Sequence, residues 1–130
     1  MARAKEKTLA LLSSTAAVDM KTSAKNTLYT VPTGKKAIIT HVVVRQPSAS
    51  LADGVDYDLG DGAACDTWRQ AISLTTMTAT TDFMVIPSIA ATPVKYTVFD
   101  AGDAFGIKPI TGSTLAATAT IDVFGYEFDA

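Results

Sequence analysis

The stretch Ala37-Ile38-Ile39-Thr40-His41-Val42-Val43-Val44-Arg45 constrains the fold more than any other part of the chain, because six of its nine residues branch at Cβ. Branched side chains lose rotamer freedom in a helix and pack well on a pleated surface, so the stretch predicts a strand. It shows almost no alternation of apolar and polar positions. That is the pattern of a strand covered on both faces, and it predicts a central position in a sheet. Val55-Asp56-Tyr57-Asp58-Leu59 behaves differently: strict alternation predicts a half-buried strand with Val55, Tyr57 and Leu59 on one face.

The rest of the chain repeats this signal in short pieces. Strands are expected at Thr27–Val31, Trp68–Leu74, Asp82–Ile86, Val94–Phe99, Ala104–Ile107 and Ala116–Phe128. Pro32-Thr33-Gly34-Lys35, Gly60-Asp61-Gly62, Asp100-Ala101-Gly102-Asp103 and Pro109–Ser113 supply turn chemistry between them. Tyr29-Thr30-Val31 before Gly34 and Tyr96-Thr97-Val98 before Gly102 form a faint internal echo, read as two similar hairpins. Short strands punctuated in this way, without a long amphipathic helical pattern, predict an all-β antiparallel sandwich. The 130 residues suit one domain with a sizeable core. We place that domain at residues 26–130.

Residues 1–25 are rich in Ala, Lys, Ser and Thr and read as an extended N-terminal arm. A short first strand near Leu9–Ser13 and a helix over 2–12 are the competing readings. Five basic residues (Arg3, Lys5, Lys7, Lys21, Lys25) face two acidic ones (Glu6, Asp19) here, within a chain of net charge −2. The arm's candidate contact residues are Arg3, Lys5, Lys7, Leu9, Leu11 and Leu12. The apolar run at Leu9–Leu12 is too short for a signal peptide, and Glu6 interrupts the basic start, so the chain is expected to be made and kept without secretion. No segment is long enough to span a bilayer as a helix.

Charged residues make up only 18% of the chain and hydrophobic ones 48%, which predicts that part of the surface is covered by partners. The last strand offers a place. Ala117, Ala119, Ile121 and Val123 share one face, while Thr118, Thr120 and Asp122 share the other, which continues as Phe124, Tyr126 and Phe128. Either those aromatics enter the core or they pack against a neighbouring subunit, since interface cores are enriched in aromatics. Exposure in an isolated chain decides between the two.

Catalytic chemistry finds little material. The single histidine, His41, sits inside the Val/Ile-rich strand, and a dyad with the single cysteine, Cys65, has no support in the spacing. One Cys and one His do not make a structural zinc site, and one Cys makes no intrachain disulfide. Asp53, Asp56, Asp58, Asp61 and Asp66 form an acidic stretch that could attract calcium, but it departs from the EF-hand spacing and lacks the terminal glutamate, so a solvated loop is expected. Gly34-Lys35-Lys36 is a turn and not a phosphate-binding loop. The basic residues are too few, and not interleaved with aromatics, for nucleic acid. The expectation is therefore a protein that is not an enzyme, uses no cofactor or metal, and binds neither nucleic acid nor membrane.

Leu28-Tyr29-Thr30-Val31-Pro32-Thr33-Gly34-Lys35-Lys36-Ala37-Ile38-Ile39 resembles an opening that recurs in small β-sandwich proteins of tailed-phage particles. Ala101-Gly102-Asp103 and Ile121-Asp122-Val123-Phe124-Gly125-Tyr126 resemble closing strands of jelly-roll domains. The likeness covers roughly Thr27 to Phe128 and marks a hairpin rather than an activity. It implies a jelly-roll-like sandwich that oligomerises, with a homotrimer expected. Its implied place is the virion, assembled in the host cytoplasm, and its implied role is a capsid decoration (cement) protein bound to the major capsid protein. A tail, connector or fibre-base subunit is the alternative.

Overall fold

The computed structural model describes residues 9–88 and 96–130. Among them are nine strands: β1 (Ala10–Asp19), β2 (Asn26–Thr30), β3 (Lys35–Arg45), β4 (Asp56–Gly60), β5 (Arg69–Ile72), β6 (Phe83–Pro87), β7 (Val98–Asp100), β8 (Ala104–Thr111) and β9 (Thr118–Asp129). They form two antiparallel sheets. One has the order β1-β9-β3-β6, with β7 also paired to β3; the other has the order β2-β8-β4-β5. β6 and β7 pair with successive parts of β3, at His41–Arg45 and at Lys36–Ile38. Counted as one interrupted strand, they leave two four-stranded sheets, and the chain crosses from one to the other at every connection except β4–β5, an order consistent with a jelly roll. The chain is an all-β antiparallel sandwich.

The core lies between the sheets. Ala37, Ile39, Val42 and Val44 of β3 and Ala119, Ile121 and Val123 of β9 face Tyr57 and Leu59 of β4 and Phe105 and Ile107 of β8, all buried. Phe105 is the hub of an aromatic cluster, meeting Trp68 edge-on at 5.7 Å and Phe99 at 5.6 Å between ring centroids. The polar tips in this core are satisfied: Trp68 Nε1–H donates to the Ile39 carbonyl (3.0 Å) and the Tyr57 hydroxyl to the Met20 carbonyl (2.8 Å).

Several expectations are corrected. The arm reading fails for residues 9–25. β1 is a sheet strand that pairs with β9 from Ala10↔Gly125 to Asp19↔Thr118, and Val18 and Met20 are buried. Its Ala-, Ser- and Thr-rich sequence reflects an edge strand with two bulges, one of them at Ala17 (φ 57°), rather than lack of structure. Residues 1–8 lie outside the described residues. The turns at Pro32–Lys35 and Asp100–Asp103 do not close hairpins: each carries the chain from one sheet to the other. They lie side by side, with Val31 N–H on the Asp103 carbonyl (3.0 Å) and Gly102 N–H on the Val31 carbonyl (2.9 Å). Gly34 (φ 77°) and Gly102 (φ 87°) supply the left-handed positions. Pro109 does not end its strand. β2 pairs with β8 only as far as Ile107, so a missing N–H at Pro109, opposite Tyr57, breaks no ladder on that side. Val55 lies outside β4 and is exposed. Of the Val94–Phe99 candidate, residues 94 and 95 lie outside the described residues, and the strand is Val98–Asp100.

Candidate functional site

β3 is flanked on both sides, and its neighbours' registers define the outer face of the five-stranded sheet. Residues paired across antiparallel strands project on the same side. The rows that result are Val98–Ile38–Tyr126, then Pro87–His41–Phe124–Leu11, then Val85–Val43–Asp122–Ser14. Lys36, between Asp100 and Phe128, closes one end, and Arg45, between Phe83 and Thr120, closes the other. Phe124, Tyr126 and Phe128, which the sequence brought forward, lie on this face and are partly exposed, so they do not enter the core. At the centre the His41 and Phe124 rings stack, 4.6 Å apart and within 8° of parallel. A bulge at Thr40 makes this possible. Ile39 pairs with Gly125 and His41 with Phe124, so Thr40 has no partner of its own and its hydroxyl bonds the Phe124 carbonyl (3.2 Å).

Phe83 (69% exposed), Leu11 (53%) and Val85 (52%) are the most open members of this face. With Ile38, Val43, Val98, Phe124 and Tyr126 they make a continuous apolar surface. The opposite sheet instead presents Asp56, Asp58 and Lys108 outward, so the sandwich has one apolar and one polar outer face.

The charges bordering the apolar area are matched inside the chain. Lys36 pairs with Asp100 (2.6 Å), Lys35 with Asp129 (2.8 Å), and Arg45 Nε with Asp122 (2.8 Å). Asp122 also accepts the Ser14 hydroxyl (2.6 Å), which ties edge strand β1 to β3 across β9. Burial pushes the Asp122 carboxyl up, but the hydrogen bonds from Arg45 and Ser14 and the Arg45 charge outweigh it and hold the group below its ordinary value of 3.8. A depressed folded-state pKa adds stability above the unfolded value, and that stability is lost as pH falls through the folded value. Asp122→Asn is therefore expected to cost about 1 kcal/mol near neutral pH, Arg45 being partly solvated. Below about pH 4 the gap to wild type should close, which urea titrations at several pH values would show.

The other candidates fall elsewhere. Arg3, Lys5 and Lys7 lie outside the described residues. Leu9 and Leu11 are exposed, while Leu12 packs on the core. Cys65 is buried in the β4–β5 connection, where burial pushes its thiol up, in the opposite sheet from His41. Among the described residues no three His, Cys, Asp or Glu side chains gather to hold a metal ion. Two aspartates of the acidic stretch bond within the chain: Asp58 of β4 accepts the Ala71 N–H of β5, and Asp61 accepts the Thr67 hydroxyl. Sequence reasoning did not bring out Ile38, Val43, Phe83, Val85 and Val98 as surface, whereas a strand histidine such as His41 is expected to face solvent or an interface. The signal was present in β3 and β6, whose runs are apolar on both faces.

No family model and no curated protein matches the chain. Among solved structures, a chain of the acidic stable capsid structure of Helicobacter pylori bacteriophage KHP30 is similar to it, with a TM-score of 0.53 and 10% identity. The match covers 95% of this chain and 98% of that one. At that identity the likeness is one of fold.

Proposed function

We propose that the protein is a structural component of a phage virion and, more specifically, a capsid decoration protein that binds the major capsid protein and stabilises the shell. The observation that carries this reading is the end-to-end fold likeness to a chain of similar length belonging to a phage capsid structure. The capsid context of that chain favours the shell over a tail, connector or fibre base. A sandwich with one apolar outer face is suited to such work, because assembly covers surface that a free protein would have to solvate. The shell contact we assign to the start of the chain, where Arg3, Lys5 and Lys7 precede the exposed Leu9 and Leu11. Bound there, the protein would add buried area across the joints between capsomers and so raise the barrier to rupture.

The test is the copy number in purified particles. A count of the same order as the major capsid protein is expected, and the bound fraction should fall as salt rises and screens the basic residues. A count far below it would move the protein to the connector, tail or fibre, and absence from particles would overturn the virion reading.

A further inference from the structure

We propose that Asp61-Gly62, in the turn between β4 and β5, is a site of spontaneous isoaspartate formation, and that isomerisation there uncovers the buried thiol of Cys65. This is chemistry of the chain itself and holds whatever place the protein has in a particle.

The reaction needs no partner but water. The Gly62 amide nitrogen attacks Cγ of the Asp61 carboxyl group. The nitrogen gives up its proton and the protonated carboxyl its hydroxyl, and the two leave as water. The product is a five-membered imide, and water then adds at one of its two carbonyls. Opening at Cγ restores aspartate. Opening at the main-chain carbonyl leaves the chain running through Cγ, one methylene longer, with a free α-carboxylate. Nothing is oxidised or reduced. A glycine after the aspartate favours the first step, because no side chain shields the nitrogen and the backbone turns freely.

The chain holds two such pairs, Asp53-Gly54 and Asp61-Gly62, and the fold separates them. Gly54 is buried, with the Tyr57 ring and hydroxyl packed directly on it, and its N–H donates to the Leu51 carbonyl (2.8 Å). Neither its nitrogen nor its backbone is free to move. Gly62 is exposed, has open space around it and adopts a φ of 72°. Among the described residues no acceptor holds its N–H. The Asp61 carboxylate is tied to the hydroxyl of Thr67, an exposed side chain that can release it.

The effect on Cys65 follows from how tightly this turn closes. The Asp61 N–H donates to Thr67 Oγ1 (2.9 Å) and the Trp68 N–H to the Leu59 carbonyl (3.0 Å). Between these closures Cys65 is buried at a φ of 53°, a left-handed conformation uncommon for a residue with a side chain. Its Sγ lies 3.7 Å from the Gly62 carbonyl oxygen. The same oxygen accepts Lys25 Nζ (2.9 Å), which anchors the turn to the segment before β2. An extra methylene between residues 61 and 62 displaces that carbonyl, so the turn loses its Lys25 anchor and Cys65 loses its cover.

The test incubates the full chain for several weeks at neutral pH, alongside Asp61→Glu. Tryptic digestion puts both pairs in one peptide, residues 46–69, and electron-transfer fragmentation assigns isoaspartate to one position or the other. Isoaspartate is expected at 61 in about tenfold excess over 53 or more, since Gly54 reacts only when the core around Tyr57 opens. Titration with an aromatic disulfide reagent should find Cys65 becoming reactive in step with it. Asp61→Glu keeps the carboxylate but closes the larger ring far more slowly, so its Cys65 should stay closed over the same time. Isoaspartate at 53 as much as at 61, or at neither, overturns the site. Isoaspartate at 61 with a thiol that stays closed, or a thiol that opens equally in Asp61→Glu, overturns the link to Cys65.

Discussion

Deletion of residues 1–25 is expected to unfold the domain. The strand lost, β1, pairs with β9 along most of its length, and its removal takes Val18 and Met20 out of the core. Each such side chain contributes about 1.5–3 kcal/mol on burial. The Met20 carbonyl accepts the Tyr57 hydroxyl (2.8 Å) and the Ser113 N–H (3.0 Å), so both donors would be stranded, at about 1–3 kcal/mol each. Asp122 would lose the Ser14 hydroxyl, and the β9 ladder would become an open edge beside Ile121 and Val123. Together these losses reach the roughly 5–15 kcal/mol by which a domain of this kind is stable. Urea unfolding followed by circular dichroism should show no cooperative transition for a chain starting at residue 26. A sharp transition with an undiminished slope would mean that β1 is dispensable after all.

Gly125→Val is expected to be the most damaging point substitution in the sheet. A Cβ at this position would clash with the Ile38 carbonyl oxygen and lie 3.0 Å from Ile39 Cα, both backbone atoms of the central strand. Neither can swing aside as a side-chain tip would. β9 and β3 must separate where the Thr40 bulge already interrupts their register, and the His41–Phe124 stack separates with them. A loss of about 3 kcal/mol or more is expected. Gly34→Ala is the control: it has open space around it and a φ of 77°, so only the backbone penalty applies, about 1 kcal/mol. Equal losses for the two variants in urea titrations would show that the β3–β9 approach is looser than the structure has it.

Most strands were legible in the chain because their evidence is local. The β-branched run of β3, the alternation in β4 and the Gly and Pro punctuation depend only on neighbours in sequence. The same holds for the last strand, where Ala117, Ala119, Ile121 and Val123 are buried as their alternation predicts. β1 was harder to read. Its Leu, Ser, Thr and Ala residues carry a weak signal of their own, and what holds them is the β9 ladder, more than a hundred residues away in sequence.

Local patterning alone specifies an all-β sandwich, the two faces of β9, and the presence of Phe124, Tyr126 and Phe128 on the face away from Ile121 and Val123. Period-two alternation assigns side chains to one side or the other of a strand whatever the strand's neighbours are. What surrounds those aromatics is set by the folded arrangement of the strands. Whether Ile38, Val43 and Val85 lie beside them depends on the order β1-β9-β3-β6 and on the bulge at Thr40, and whether the border charges are spent depends on Arg45 meeting Asp122 and Lys36 meeting Asp100. These are pairings between distant segments. Strand order and register are settled by how the two sheets bury their inner faces together, and no local pattern carries that information.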